Sequence, residues 1–187
     1  MKNVFLKRMA VAIIAAVAMG VTVHAQTPTF VQGDNVVNAG IGFGGYYSGA
    51  FYNNVKRIPF VSLSYENCIK DNLFNEYSSL GIGGILGYTS VSINDYYKTS
   101  NTLIGVRGAL HYAFVDKLDT YAGLLLGYGI VSWKWLDSGW TGSGNASSSL
   151  VAGGFLGARY YFTDNIAAFA EAGYGAANIN LGIALKF

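Results

Sequence analysis

The last nine residues of the chain, INLGIALKF (Ile179–Phe187), decide the fold class because two kinds of side chain alternate along them without a break. The odd-numbered positions all carry large apolar side chains: Ile179, Leu181, Ile183, Leu185 and Phe187. Successive side chains of a β-strand point to opposite sides of a sheet, so this alternation predicts a strand with two unlike faces. A soluble sheet would have to bury the apolar face against a second layer.

Seven more segments upstream show the same period of two, and polar or glycine-rich breaks separate them. The eight predicted segments cover residues 36–46, 58–69, 78–91, 102–114, 120–133, 149–162, 166–175 and 178–187. None of them has a sustained helical period. The pattern predicts an all-β fold, namely a transmembrane eight-stranded antiparallel up-and-down β-barrel. Pairing of the last strand with the first would close the sheet and leave no edge.

One face of the segments is apolar, and the other carries glycine and nearly all the charges. In the fourth segment Ile104, Val106 and Leu110 share one face, whereas Arg107 and His111 lie on the other. A soluble ligand-binding barrel would reverse this arrangement and fill its cavity with the apolar side chains. We therefore expect a narrow polar interior and an apolar outer face in contact with lipid.

Aromatic residues on the apolar face are predicted to form two belts at the ends of the strands. One belt contains Phe43, Tyr88, Tyr128 and Tyr174. The other contains Tyr112, Phe114, Tyr160 and Phe162, with Tyr65 and Phe187 beside them. Aromatic side chains gather at membrane–water interfaces, whereas aromatics that merely filled a core would not be sorted to strand ends.

The start of the chain is predicted to be a secretory signal peptide, residues 1–25, which leaves residues 26–187 as the barrel domain. Lys2, Lys7 and Arg8 precede an apolar run that ends in the small-residue site VHA. Three of the twelve basic residues lie in this segment, so nine basic residues oppose ten acidic ones in the mature chain. No basic surface remains that would indicate nucleic-acid binding.

Two stretches carry a resemblance to a known family. GARYYFTDNIAAFAEAGYG (Gly157–Gly175) and the terminal alternating strand resemble the small eight-stranded outer-membrane barrels: the OmpA transmembrane domain, OmpX and the porin-like outer-membrane β-barrel domain. The resemblance implies an integral protein of a Gram-negative outer membrane that contacts membrane lipids and lipopolysaccharide. It also implies that Ile179–Phe187 is the signal strand that the barrel-assembly machinery recognises.

Charged residues on the inner face are expected to form a lumen ionic network of Glu66, Arg107, Arg159 and Glu171. If TDN forms a three-residue turn, Glu171 lies opposite Gly157 and diagonal to Arg159. If VDKLD forms a loop, Arg107 lies opposite Gly127. An eight-stranded barrel has an interior that side chains just fill, so the network is expected to plug the lumen. The alternative is a gated ion path.

The residues offer little support for catalysis or cofactor binding. The mature chain contains one histidine, His111, without a serine or carboxylate partner at a catalytic spacing, and it is expected to be a hydrogen-bonded interior residue. The sequence shows no metal-ligand cluster and no phosphate-binding glycine loop. Cys68, the single cysteine, is expected to be a small buried thiol. We assign no catalytic residue, metal site or cofactor.

Short turns and long loops alternate along the chain, which places both termini on the short-turn, periplasmic side. The longest loop region holds Trp133, Trp135 and Trp140, which form either an interfacial belt or a surface recognition loop for an unidentified extracellular ligand. The expected role is structural or surface interaction. The alternatives are a small low-conductance porin-like channel and, more distantly, a lipid-modifying enzyme.

Overall fold

The computed structural model of the protein describes residues 27–45, 55–93, 97–135 and 143–187, and none of these forms a helix long and apolar enough to cross a membrane. The predicted signal peptide, residues 1–25, lies outside this part of the chain. The described residues form the strands β1 (Asn35–Phe43), β2 (Val55–Asp71), β3 (Ser78–Ile93), β4 (Tyr97–Val115), β5 (Leu118–Trp135), β6 (Ser143–Tyr161), β7 (Ile166–Tyr174) and β8 (Ile179–Lys186).

The strands form one closed barrel in which each strand pairs antiparallel with its neighbours in sequence. The predicted eight-stranded up-and-down topology is confirmed. Closure occurs between β1 and β8, where Val36 pairs with Lys186 and Phe43 pairs with Ile179. Beyond β8 the chain end continues the ladder, because the backbone N–H groups of Asn35 and Phe187 donate to each other's carbonyls, both at 2.9 Å. The terminal alternation therefore belongs to a strand with partners on both sides.

Several strands are longer than the sequence pattern indicates, and the largest extensions lie at the end where the long loops are. β4 starts at Tyr97 rather than at residue 102, and β6 starts at Ser143 rather than at residue 149. These extra residues are mainly polar, so they do not add to the apolar alternation from which the segments were predicted. Backbone pairing thus continues past the apolar band on the loop side of the barrel.

The two turns used to predict strand registers have different outcomes. The TDN turn places Gly157 opposite Glu171, as predicted. The VDKLD turn is tighter than predicted, because pairing continues until Val115 faces Leu118, and Lys117 adopts a left-handed φ of 65°. The ladder shifts by a bulge between Ala113 and Val115. As a result Arg107 faces Leu125 and not Gly127, so this predicted register is wrong by two residues.

Candidate functional site

The interior of the barrel contains a polar layer between two apolar clusters. The cluster on the turn side contains Phe30, Val36, Cys68, Tyr161, Ala167, Phe169 and Ala184. The cluster on the loop side contains Phe60, Ile85, Leu103, Leu125 and Ala177. The polar interior that the sequence predicts is thus confined to the middle layer, and apolar side chains fill the lumen on either side of it. The period of two distinguishes inward from outward positions, but it does not require every inward side chain to be polar.

Arg159 lies at the centre of the polar layer, fully buried, and each of its three nitrogens has a partner. Its Nη1 donates to Asp119 Oδ2 at 3.0 Å, its Nε donates to Asn38 Oδ1 at 3.2 Å, and its Nη2 forms an ion pair with Glu66. Two carboxylates around one guanidinium satisfy its fork of donors, the geometry for which arginine is suited.

His111 joins the two carboxylates that bind the guanidinium of Arg159. Its Nδ1 lies 2.9 Å from Asp119 Oδ1, and its Nε2 lies 2.9 Å from Glu66 Oε1. A doubly protonated imidazole would donate to both carboxylates and would balance their charges together with the guanidinium. The predicted interior histidine therefore has carboxylate partners, and among the described residues neither ring nitrogen bonds to a nucleophilic side chain.

A second ion pair lies nearer the loop side of the interior. Arg107 Nη2 donates to Glu171 Oε1 at 2.5 Å, and Tyr121 Oη donates to the same oxygen at 2.9 Å. The guanidinium carbon stands 4.1 Å from the ring centre of Phe155. In the described part of the chain, Arg107 Nε is buried without a hydrogen-bond partner. A cavity of about 30 Å³ lies beside this pair, with room for one or two water molecules.

All four residues of the predicted network are thus buried inside the barrel, but their predicted pairing is wrong. Glu171 contacts Arg107 instead of Arg159. Tyr121 accounts for the difference, because its ring covers Gly157 and stands 4.5 Å from the guanidinium carbon of Arg159. The ring occupies the space through which Arg159 was expected to reach Glu171. In so narrow a lumen, inward side chains bond across the barrel as well as along neighbouring strands.

Three polar members of the interior were missed in the sequence: Asn38, Asp119 and Tyr121. The sequence predicts Asp119 in the VDKLD loop, whereas the tighter turn places it in β5 with its side chain inward and buried. The inward direction of the Asp119 and Tyr121 side chains was predictable, because they are separated by even numbers of residues from Gly123, which was assigned to the inner face. Asn38 lies at an inward position of the alternating pattern in β1. An amide side chain at such a position does not by itself indicate an arginine partner.

The N-terminal segment, residues 27–34, was also missed, and it covers the turn-side mouth of the barrel. Phe30 is only 3% exposed, and its ring centre lies 4.5 Å from that of His111. Lys186 Nζ donates to the carbonyl of Thr29 at 3.0 Å, which ties the segment to β8. The segment has no period of two, and the backbone of Gly33 and Asp34, at its end, bonds to that of Cys68 on β2. Its position therefore could not be predicted from side-chain alternation.

The outer surface carries a continuous apolar band. Leu124 is 75% exposed, whereas the adjacent Leu125 is 6% exposed, which illustrates the alternation across the wall. Large exposed apolar side chains occur on all eight strands, among them Ile41, Leu63, Leu86, Ile104, Leu126, Leu150, Leu156, Ile166 and Leu181. All five large residues of the predicted signal strand, Ile179 to Phe187, are exposed on this same face.

The predicted belt residues lie on the outer face, near strand ends on the turn side and, on the loop side, at the ends of β1 and β7. Tyr88 and Tyr128 lie five and seven residues inside the loop-side ends of β3 and β5, because those strands continue past the apolar band, so their predicted position at strand ends is wrong. Tyr88 and Tyr112 are half-buried, and the others are exposed: Phe43, Tyr128, Tyr174, Phe114, Tyr160 and Phe162. Of the three tryptophans, Trp133 is half-buried and Trp135 is exposed, with its ring centre 5.2 Å from that of Tyr97. Trp140 lies outside the described residues.

Metal and thiol chemistry find little support in the structure. Among the described residues, no group of His, Cys, Asp and Glu side chains could hold a metal ion. Cys68 is buried, and its Sγ lies 3.7 Å from the carbonyl oxygen of Lys70. That surrounding is the one expected for a structural thiol.

Together these features define a class of protein: a small, closed, up-and-down β-barrel with charged residues sealed inside and an apolar outer wall. Two solved structures share the fold. Ail, the attachment invasion locus protein of Yersinia pestis, crystallised with the heparin analogue sucrose octasulfate, is 13% identical, with a TM-score of 0.57 over 84% of this chain and 100% of that one. The N-terminal β-barrel domain of Pseudomonas aeruginosa OprF is 16% identical, with a TM-score of 0.52 over 83% of this chain and 98% of that one.

These two structures are small eight-stranded outer-membrane barrels of the OmpA-like type, and the chain has their fold. The resemblance drawn from the terminal strand and the Gly157–Gly175 hairpin is confirmed at this level. No protein-family model and no curated protein sequence matches the chain.

Proposed function

We propose that this protein is an integral outer-membrane β-barrel of a Gram-negative bacterium, with a structural or surface-interaction role and a lumen plugged by its own side chains. The observation that carries the proposal is the distribution of side chains, which is the reverse of the one in a soluble protein. Charged residues such as Arg159 and Glu66 are buried inside, while leucine and isoleucine side chains are exposed around the whole wall. An apolar surface of this extent in water would cause aggregation, and it needs lipid around it.

The height of the apolar band fits a bilayer. Along β7, the exposed residues Ile166 and Tyr174 are eight residues apart. At about 3.4 Å per residue this is ~27 Å along the strand. The usual barrel tilt of about 35–45° reduces the height to roughly 20 Å along the barrel axis, close to the apolar band of outer-membrane barrels. The aromatic side chains at the two edges of the band would then lie at the two interfaces.

The proposed plug is supported by the side chains that occupy the interior. Two apolar clusters and two groups of ion pairs occupy the lumen from the turn side to the loop side. Phe30 adds a further side chain at the turn-side mouth. Because the charged groups bond to one another, water is not needed to solvate most of them.

A surface-interaction role is supported by the loop side of the barrel. The strands extend past the apolar band there, and the sequence places its three tryptophans at that end. The similar barrel Ail was crystallised with a sulfated sugar. We propose that the loops of this chain likewise contact an extracellular ligand, that β8 is the strand recognised during assembly, and that the signal peptide ends at Ala25.

Labelling in intact cells tests the proposed location and orientation. Single cysteines replace Ser143 on the loop side or Asp164 in the TDN turn, both exposed, in a Cys68→Ser background. A membrane-impermeant maleimide is expected to label position 143 in intact cells and position 164 only after the outer membrane is opened. Labelling of position 164 alone in intact cells would reverse the orientation, and recovery of the protein in the soluble fraction would refute the membrane proposal.

A small low-conductance channel is the second candidate, and the cavity beside Arg107 and Glu171 favours it. The cavity could admit water beside Arg107, whose Nε is buried without a hydrogen-bond partner among the described residues. Ion flux through the unmodified protein in liposomes would support this candidate over the plug. Release of acyl chains from lipid A would revive the third candidate, a lipid-modifying enzyme.

A further inference from the structure

The loop-side rim of the barrel is uneven, because the strands differ in length. β4 and β5 contain 19 and 18 residues, whereas β7 and β8 contain 9 and 8. In the described part of the chain, β1 pairs with β2 no further than Phe60, and β7 pairs with β6 no further than Gly154. Beyond these points β2 to β6 continue as a curved sheet, here called the loop-side wall: residues 55–58, 89–93, 97–101, 131–135 and 143–147. Because β4 and β5 lie across the barrel from β8 and β1, no described strand faces the inner side of this wall.

Two tryptophans and a tyrosine lie on the inner side of the loop-side wall. The β4–β5 ladder runs without a bulge from its loop-side end past Leu103 and Leu125, which are buried in the lumen. Tyr97, Trp133 and Trp135 are separated from these leucines by even numbers of residues, so they share the inner face. The rings of Tyr97 and Trp135, at directly opposed positions, have centres 5.2 Å apart. The two tryptophans therefore do not belong to the interfacial belts, whose residues lie on the outer face.

The polar groups beside these three rings, here called the aromatic patch, are mostly uncharged. Thr99 and Asn101 are the next inner residues of β4, and Thr89 on β3 pairs with Asn101. The lysines of the wall occupy the alternate positions, which point outwards: Lys56, Lys98 and Lys134. At the inner positions of the described wall, the one charged residue is Arg57 on β2. The inner face thus offers aromatic rings, hydroxyls and an amide rather than a cluster of charges.

Asn101 lies where the aromatic patch meets the apolar cluster of the loop side. Its side chain is buried, and its Oδ1 has no hydrogen-bond partner among the described residues. A buried oxygen without a donor is unfavourable, and a ligand that brings a donor to the open end of the barrel relieves this cost. Ionised sulfate, phosphate and carboxylate groups only accept hydrogen bonds, whereas a sugar hydroxyl can donate one. The unpartnered oxygen therefore favours a neutral ligand with hydroxyl groups over an anion.

We infer that the aromatic patch binds a neutral saccharide chain. A pyranose ring has a flat face of C–H groups and a rim of hydroxyls, so it can lie against an indole ring while its hydroxyls bond to nearby polar side chains. Binding sites commonly combine aromatic surface with a few placed polar groups in this way. The open inner side of the wall leaves room for a chain of several sugar units. The inference deepens the proposed surface-interaction role and rests on it, because the loop side has to be extracellular.

The test measures saccharide binding to the protein in phosphatidylcholine nanodiscs. The neutral probes are hexasaccharides of α-linked glucose, β-linked glucose, mannose, galactose and N-acetylglucosamine, and the comparison probes are dextran sulfate and a random hexapeptide mixture. Calorimetry gives the dissociation constants, and saturation-transfer NMR identifies the sugar protons that contact the protein. The variants are Trp135→Leu, Trp133→Leu and Trp133→Phe. The matched control is the double variant Lys98→Gln with Lys134→Gln, which changes adjacent residues of the same two strands on the opposite face.

At least one neutral probe is expected to bind the unmodified protein and the lysine control equally, with the strongest saturation transfer to the C–H protons of one sugar face. Trp135→Leu and Trp133→Leu should each weaken this binding about tenfold, and Trp133→Phe, which keeps a ring, should weaken it less. The urea midpoint of each variant establishes that it is folded.

Three results would overturn the inference while leaving the barrel in its membrane. They are the absence of binding by every neutral probe, binding of dextran sulfate or of the peptide mixture alone, and equal binding by the folded tryptophan variants. Binding of the peptides alone would assign the aromatic patch to a protein partner. Failure of the unmodified protein to insert into nanodiscs would instead refute the proposed function, and the inference with it.

Discussion

The two arginines of the interior differ in how completely their surroundings satisfy them. Arg159 has a partner for each nitrogen and two carboxylates, Glu66 and Asp119, that His111 also joins. Arg107 has one carboxylate, an Nε without a partner among the described residues, and a cavity beside it. The comparison indicates that one barrel holds both a tightly bonded charge cluster and a looser pair. The cluster is suited to holding strands together, and the pair is where water can enter.

Removal of the better-satisfied arginine should have the largest effect. Arg159→Met keeps most of the volume but leaves Glu66 and Asp119 buried with His111 alone. An uncompensated buried charge costs roughly 3–5 kcal/mol, so the free energy of unfolding should fall by about that amount. Urea unfolding in vesicles measures it. Arg159→Lys, which keeps the charge without the planar fork, should lose less, and equal losses would show that the bonding geometry is unimportant.

A third arginine, placed in the apolar band of the outer wall, extends the comparison of Arg159 and Arg107 to a position where the guanidinium would be surrounded by apolar side chains. Leu124→Arg should destabilise the barrel in a bilayer by roughly 2–4 kcal/mol, because position 124 lies in the middle of the apolar band that the proposed function places in lipid. Ala109→Ser, on the inner face, is the control and should cost much less. Similar losses at the two positions would contradict the assignment of the outer face to lipid.

The looser pair should respond less in stability and more in permeability. Glu171→Ala leaves Arg107 without its carboxylate, but water from the adjacent cavity can solvate the guanidinium. The expected loss is about 1–3 kcal/mol, the range for an unsatisfied buried group, together with increased ion leakage in planar bilayers. Adding Arg107→Ala should restore part of the stability. A steady conductance of the unmodified barrel that Glu171→Ala leaves unchanged would favour the channel over the plug.

The N-terminal segment provides the smallest expected effect. Phe30→Ala removes the ring that covers His111 at the turn-side mouth. Replacing a phenylalanine in a closed core by alanine lowers the free energy of unfolding by more than this segment should, because a short terminal segment can detach locally. We expect a loss of about 1–2 kcal/mol in the free energy of unfolding. Hydrogen exchange should increase near Asn38 at the turn side and remain unchanged near Leu103. An increase confined to the loop side would place the segment elsewhere.

The fold was predictable because the barrel imposes one simple period on the sequence. Ile179–Phe187 alternates without interruption, as a strand in a closed wall with an apolar outer face has to do. The strand extensions at Tyr97 and Ser143 were not predictable, because backbone pairing continues there without an apolar face to mark it. The topology therefore followed from side-chain alternation, and the strand ends did not.

The interior was only partly predictable, because pairing across the lumen depends on the registers of the strands and on the volumes of the inward side chains. The turn at Lys117, which has a left-handed conformation, is tighter than predicted, so the partner of Arg107 on β5 differs by two residues from the predicted one. Tyr121 then blocked the path from Arg159 to Glu171. A period of two assigns each of these side chains to the inner face, but the choice of partner depends on three-dimensional distances that it does not contain.

The most direct test of the central claim, a closed barrel with lipid outside and packed side chains inside, uses the unmodified protein. Nuclear Overhauser transfer from lipid acyl chains to leucine methyl groups is measured in lipid nanodiscs. Leu124, at 75% exposure, should receive strong transfer, whereas its neighbour Leu125, at 6% exposure, should receive none. Transfer to Leu125 together with water contact at Leu124 would contradict the claim.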